Sequence, residues 1–434
     1  MLGAPTLSSP RHGTGPRLAG LSCALAACAL SAELRAEPIP TNDYAIDVYQ
    51  GPVLAPLRVS ALGGAYAGYA EGIAGIVANA AAPAVRDPYS VDDFDWDLSA
   101  SLSIPLQLFE NDDFDNNGDV DADYSSFVYL SLGGMLQKGP FGLGVEAALQ
   151  RYSLEASGGT TEVWLGRYHL LGAVGLAEHA VSIGAGARLV TMGLSTPEAE
   201  LSWVGAAPEL GLLLRPNDMP FRFGFTYRFP VHAGGVGAAA QGPVDGLARE
   251  GELVLPDEVV LPWELEAGVA IQAGPRPLNP SFESGPPGES PEARAERKRR
   301  ARSLPRSKLT LLASVLVSGP VERGVRLEQF LAQPDPSVSP AGVVGSSGAS
   351  INFSPRFGIE TEPLANLLAV RAGSYYEPNR SGGVGRQHFT FGGELRVVPF
   401  DWFGLVEEVD YSLELGLDLA PRYESVSASI GVWR

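Results

Sequence analysis

Cysteine is almost absent from these 434 residues: there are two, Cys23 and Cys28, both close to the N-terminus. The body of the chain therefore has no pair to form a disulfide and no thiolates to hold a metal. Cations are also scarce, with 31 Lys and Arg against 50 Asp and Glu for a net charge of −19. Nucleic acid is excluded as a partner on this ground, since binding it takes clustered Lys and Arg that displace counterions from phosphates. Long apolar runs are missing as well, and outside the N-terminus nothing approaches the roughly 18 residues of a membrane-spanning helix. Catalytic signatures are absent too. There is no Gly-x-Ser-x-Gly and no His-Glu-x-x-His, and the histidines (His12, His169, His179, His232, His388) show no metal spacing. Gly184-Ala185-Gly186 falls inside a strand-like segment with no helix after it, so it is not a nucleotide loop. The expectation is a protein that is not an enzyme and requires no cofactor, although a Ser/His pair assembled from different strands stays open.

What is present begins with an export signal. Arg11 and Arg17 precede a short apolar stretch, Leu18 to Leu30, and small residues at Ser31 and Ala32 suit cleavage. Residues 1–32 are thus expected to be removed. Leu25-Ala26-Ala27-Cys28 also fits a lipobox, which leaves lipoprotein processing at Cys28 as the alternative.

From about residue 93 the chain alternates apolar and polar with period two, in segments broken by turn residues. Phe94, Trp96, Leu98, Ala100, Leu102 and Ile104 share one face against Asp95, Asp97, Ser99, Ser101 and Ser103. Phe223, Phe225 and Tyr227 alternate with Arg222, Gly224 and Arg228, and Leu413, Leu415 and Leu417 with Ser412, Glu414 and Asp418. The fold class expected is all-β: a transmembrane antiparallel β-barrel of about 14 strands in residues 93–434, greasy outside and polar within. The segments include 221–233 and 257–273 and end with 404–419 and 423–433. Inward polar residues, among them Arg167, His169, Arg222, Arg228, His388, Glu394, Arg396, Asp410, Glu414 and Asp418, are expected to form a lumen network. Trp96, Trp164, Trp203 and Trp402 are expected in interfacial girdles near strand ends.

Three stretches depart from the alternation. Residues 33–92 are rich in Ala and Gly and suit short helices in a small N-terminal hatch or plug inside the lumen. Residues 274–306 are Pro-rich and then basic, through Arg294-Ala295-Glu296-Arg297-Lys298-Arg299-Arg300. They are expected to be a disordered insertion whose middle forms a short basic helix at most, or a docking segment for a periplasmic partner or anionic lipid. Asp113, Asp115, Asn117, Asp119 and Asp121 place oxygen ligands at alternate positions around Gly118, the arrangement calcium loops use. Tyr124 stands where such a loop would have its bidentate Glu, and the alternative is an acidic external loop that bridges divalent ions to lipopolysaccharide phosphates.

These residues resemble the FadL family of outer-membrane transporters. Leu62-Gly63-Gly64-Ala65-Tyr66 followed by Asn79 and Pro83-Ala84 is similar to the family's N-terminal pattern. Phe223 to Val231, Leu255-Pro256-Asp257-Glu258 and Arg371-Ala372-Gly373-Ser374-Tyr375-Tyr376 resemble its later strands, in the right order. The resemblance implies that Leu62, Gly63, Gly64, Ala65, Tyr66, Asn79 and Pro83 are hatch and substrate residues. It further implies passive uptake of a hydrophobic small molecule, such as a long-chain fatty acid or hydrocarbon, with lateral release into the outer-membrane lipid. Relatives of the same barrel type serve protein secretion, so a scaffold or secretion accessory is the alternative.

Overall fold

The computed structural model describes residues 41–434 apart from 91, 119–126, 157–158, 196–199, 236–240, 245–246, 251–252, 281–287, 304–305, 332–345, 398–410 and 433–434. The expected export signal, both cysteines, Trp402 and Asp410 lie outside the described residues. Fourteen long strands carry the architecture. The first seven are β1 (Phe94–Pro105), β2 (Val128–Lys138), β3 (Phe141–Ala156), β4 (Gly159–Leu176), β5 (Val181–Ser195), β6 (Glu200–Leu214) and β7 (Phe221–Arg228). The rest are β8 (Glu264–Ala273), β9 (Leu309–Ser318), β10 (Asn352–Leu364), β11 (Leu368–Glu377), β12 (Arg386–Arg396), β13 (Tyr411–Ala420) and β14 (Tyr423–Val432).

Each strand pairs antiparallel with the next. The ring closes where β1 pairs with β14, from Ser99 opposite Gly431 to Pro105 opposite Ser425. Closure matters because a sheet in lipid has no water to satisfy an open edge. The two-residue period sets the faces as the alternation predicts. In β13, Leu413 and Leu415 are 50% and 67% exposed while Ser412 and Asp418 are buried. In β1, Phe94, Leu98 and Leu102 face out while Asp97, Ser101 and Ser103 are buried. No described helix is long and apolar enough to cross a membrane.

Short turns join β2 to β3, β4 to β5 and β10 to β11 at one end of the barrel, where the 274–308 connection also lies, and the long connections 106–127, 229–263, 319–351 and 378–385 lie at the other. Two segments read from sequence as single strands, 221–233 and 257–273, are each divided by a proline. Pro230 and Pro262 have no N–H to give a ladder. The detached pieces, Val231–Gly235 and Glu258–Leu261, pair with each other at the long-loop end. Ala45–Asp47 then pairs parallel with Glu258–Leu261 on one side and with Gly324–Arg326 on the other, tying the N-terminal segment into this small sheet. The side chain of Arg188 donates to the carbonyls of Phe229 and Pro262, taking up acceptors near both prolines.

The insertion expected to be disordered is built in part. Pro291–Arg302 is an α-helix. Ser290 caps it, accepting from the Ala293 N–H at 3.2 Å, and Pro291 and Glu292 follow in its first turn. A capping hydroxyl, an early proline and a well-placed acid together outweigh the loss of an apolar face.

Candidate functional site

The N-terminal segment meets the inward side of the wall almost all the way round. Leu57–Ala61 is a one-turn helix, and Ile73–Gly75 and Ala82–Ala84 are 3-10 turns. Its contacts explain why certain inward positions carry no side chain. A Cβ at Gly184 of β5 would collide with the backbone of Ala80, and one at Gly224 of β7 with that of Ala67. Gly63 and Gly64 take positive φ, 62° and 75°, where the chain turns beneath β11. Asn79 is fully buried, donating to the carbonyls of Ala67 and Leu212 at 2.9 and 3.1 Å while its Oδ1 accepts from the Ala81 N–H. Leu62, Ala65, Tyr66 and Pro83 are buried in the same segment. The Tyr66 hydroxyl donates to the Glu71 carbonyl at 2.8 Å, and the Pro83 carbonyl accepts from Gln137 at 2.8 Å.

Toward the short-turn end a buried ion network fixes this segment to the wall. The Arg58 guanidinium meets Glu360 of β10 at 3.0 and 2.9 Å. Arg371 of β11 reaches the same carboxylate at 2.7 Å, Lys308 also bonds it, and the Tyr69 hydroxyl donates to it. Arg371 in turn pairs with Glu394 of β12 and lies 3.6 Å from Glu414 of β13. Glu71 of the segment sits between Arg58, Arg222 and Arg276 at 3.4, 3.2 and 3.3 Å. Burial by itself would raise the Glu71 pKa. Arg276, Arg222 and Arg58 overcome it and hold this carboxyl well below the usual range.

Toward the long-loop end, on the β2–β6 side, the inner wall is apolar. Tyr129, Val163, Leu165, Val190, Met192, Leu194, Leu201 and Trp203 form one buried cluster. Ile46 and Val48 of the N-terminal segment join it, as do Phe114, Val325 and Phe330 from the long connections. Trp203 is 4% exposed and belongs to this interior, which corrects its expected place in a girdle. Its parity puts it on the inward face of β6, in step with Leu201. Trp164, 50% exposed beside Arg151, sits on the outward face near the long-loop end of β4.

Where the apolar wall ends, a cavity of about 120 Å³ opens, lined by Tyr129, Arg167, Arg188, Arg228, Glu264 and Arg356 among others. Arg188 pairs with Glu264 at 2.7 Å and Arg167 donates to the Val48 carbonyl at 2.6 Å. The Nε atoms of Arg167, Arg228 and Arg356 are buried without a hydrogen-bond partner, as is the Tyr129 hydroxyl. Unpaired buried donors are costly, and these four residues all line the one cavity, with the Glu209 carboxylate 3.6 Å from the Arg228 Nε.

The remaining expected lumen residues divide. His388 is fully buried between Glu377 at 2.7 Å and Asp418 at 2.8 Å, stacked on Tyr375 at 4.2 Å. His169 bonds Glu209 at 2.9 Å. Arg58, Glu71, Glu360, Lys308 and Arg276, which hold the network together, are not among the residues the sequence marked. Inward parity in β10 was the signal available for Glu360. The others lie outside regular strands, where parity gives no direction.

In the acidic loop, Asp113 accepts from the N–H groups of Asn117 and Gly118 at 2.9 and 3.1 Å. Asp115 accepts from Asn117 at 3.1 Å and pairs with Arg326 at 3.2 Å. Burial, with Asp113 adding to it, holds the Asp115 pKa above its ordinary value despite Arg326. Arg422 pairs with Asp112 at 2.6 Å. Asp119 and Asp121 lie outside the described residues, and among the described residues no three His, Cys, Asp or Glu converge as metal ligands.

The geometry defines a class: a closed transmembrane β-barrel whose inner wall is apolar on one side and ionic on the other. No family model matches the chain, and no curated protein matches it. Among solved structures it is similar to the CymD monoaromatic hydrocarbon channel, at 14% identity over 88% of this chain and 98% of that one, with a TM-score of 0.47. It is also similar to a Pseudomonas aeruginosa FadL homologue, at 12% identity over 92% and 98% with a TM-score of 0.43. A TodX monoaromatic hydrocarbon channel deltaS2S3 mutant gives 14% identity over 87% and 97%, with a TM-score of 0.48. These are likenesses of architecture.

Proposed function

We propose that the chain is an outer-membrane channel for passive uptake of hydrophobic compounds, and that those it suits best carry an acidic head, as long-chain fatty acids do. The observation carrying this reading is the step from apolar wall to arginine-lined cavity, with Tyr129 belonging to both. An acyl tail would lie along Val163, Leu165, Val190 and Met192 in place of Ile46 and Val48, and a carboxylate would take the free Nε donors of Arg167 and Arg356. Guanidinium and carboxylate are matched in shape as well as charge.

The cavity is too small for a whole such molecule, since pockets for drug-sized ligands run to roughly 300–1,000 Å³. Passage therefore requires the N-terminal segment, which serves as the plug, to shift. The ladder between β2 and β3 is continuous from Val128 opposite Arg151 to Lys138 opposite Phe141, so a lateral route at that pair would need the wall to open as well.

The test is binding of a fluorescent fatty acid to the purified protein, with Arg167→Gln and Arg356→Gln combined. Affinity for the acid should fall while affinity for a neutral alkane is kept. Absence of binding by either ligand would sink the channel reading. Copurification of protein partners alongside that absence would favour a scaffold or secretion accessory, a second reading supported by how completely the ion network fastens the segment in place.

A further inference from the structure

The insertion between β8 and β9 is fastened at both feet. On one side Arg276 pairs with Glu71, and Asn279 donates to the carbonyls of Met219 and Phe221 at 2.8 Å. On the other, Arg306 lies 3.9 Å over the Tyr89 ring. Ala273 and Leu309 are paired, so both feet rise from one place on the short-turn rim. Between them the helix Pro291–Arg302 reaches Asp92, where Arg294 pairs at 2.9 Å. Asp92 leads into β1, and β1 is the strand seven places from β8 in the fourteen-strand ring. The helix therefore leans over the mouth, away from the lipid belt of its own rim.

Its surface is unlike the rest of the molecule. Pro291 to Ala295 are all exposed, and no side chain of the helix is more apolar than alanine or proline. Arg299 and Arg300 are 76% and 79% exposed and share a single carboxylate, Glu296. In a chain of net charge −19 this is a local surplus of cation held out to solvent. Helices that lie on membranes bury an apolar face, and this one has none to bury.

We propose that the Arg299 and Arg300 face of this helix is a docking surface for an acidic patch on a soluble protein that meets the barrel at its short-turn mouth. Guanidinium forks suit carboxylates, and an exposed charge surplus of this kind mainly speeds encounter and is screened by salt.

The test uses the full chain in a zwitterionic detergent and a fluorescent polyglutamate peptide followed by anisotropy, with short-chain phosphatidylglycerol as the competing probe. Peptide binding should weaken roughly tenfold in Arg299→Gln/Arg300→Gln, as expected when two exposed charge pairs are lost, and should fall in high salt. Thermal unfolding should be unchanged, because neither side chain is buried. Arg299→Lys/Arg300→Lys should recover most of the affinity. Peptide affinity that does not change in the glutamine variant overturns the proposal. Binding of phosphatidylglycerol without binding of the peptide also overturns it and assigns the helix to a lipid surface.

Discussion

The long-loop half of the inner wall on β2–β6 and the short-turn half on β7–β13 both receive the N-terminal segment, but with opposite chemistry. Above, Ile46 and Val48 belong to one apolar cluster with Val190, Met192 and Trp203, whose contacts are non-directional and tolerate exchange of one apolar group for another. Below, Arg58 and Glu71 are held by Glu360, Arg222 and Arg276, contacts that are directional and leave an uncompensated charge if any partner goes. The difference teaches where the segment can yield. Contacts of the upper kind can be exchanged for other apolar contacts at small net cost, whereas the lower ones give way only if charge is supplied or removed.

The comparison can be broken most forcefully below. Glu360→Gln leaves Arg58, Arg371 and Lys308 facing one another and should destabilise the barrel with its bound segment by about 3–5 kcal/mol. Chemical unfolding, together with protease cutting within residues 57–86, measures it. Native-like resistance to both would refute the idea that this network is the fastening.

A smaller loss, about 2 kcal/mol, is expected above for Met192→Ala, because only transfer and cavity terms are involved. That variant should leave the segment protected from protease. Cutting equal to that of Glu360→Gln would erase the distinction between the halves.

Acid sharpens the contrast further. The Glu71 pKa is depressed in the fold, so its stabilising contribution is complete above the ordinary carboxylate value of roughly 4.3 and is lost as pH falls from there toward the lower folded value. Protection of the segment should decline over that window in the natural chain. In Glu71→Gln it should already be weak at neutral pH and change less on acidification. Least affected should be Arg151→Gln, which removes an exposed pair with Glu162 at 2.8 Å and should cost under ~1 kcal/mol by thermal unfolding.

Much of the wall was readable beforehand because one local rule, alternation every two residues, decides which way a strand side chain faces. Leu413, Leu415 and Leu417 are assigned to lipid by that rule and are found outward. The rule stops where a proline ends the ladder, as at Pro230 and Pro262, since the pieces beyond take up new partners: Val231–Gly235 pairs with Glu258–Leu261 and with the start of β6, and Glu258–Leu261 also pairs with Ala45–Asp47. For Trp203 the rule holds, and what misplaced it was nearness to a strand end: parity turns it inward with Leu201. The lumen network was half visible. Arg222, His388 and Asp418 carry inward parity, but Arg58, Glu71 and Arg276 lie outside the strands, where direction is set by what they meet.

The chain by itself determined fourteen strands and their two faces, because strand periodicity and the demands of lipid act on neighbouring residues. Only the tertiary structure decided which ring of strands closes, that Glu71 lies among three arginines, and that an apolar wall runs down to an arginine-lined cavity. Those depend on residues hundreds of positions apart being brought within a few ångströms, and no local pattern encodes that distance.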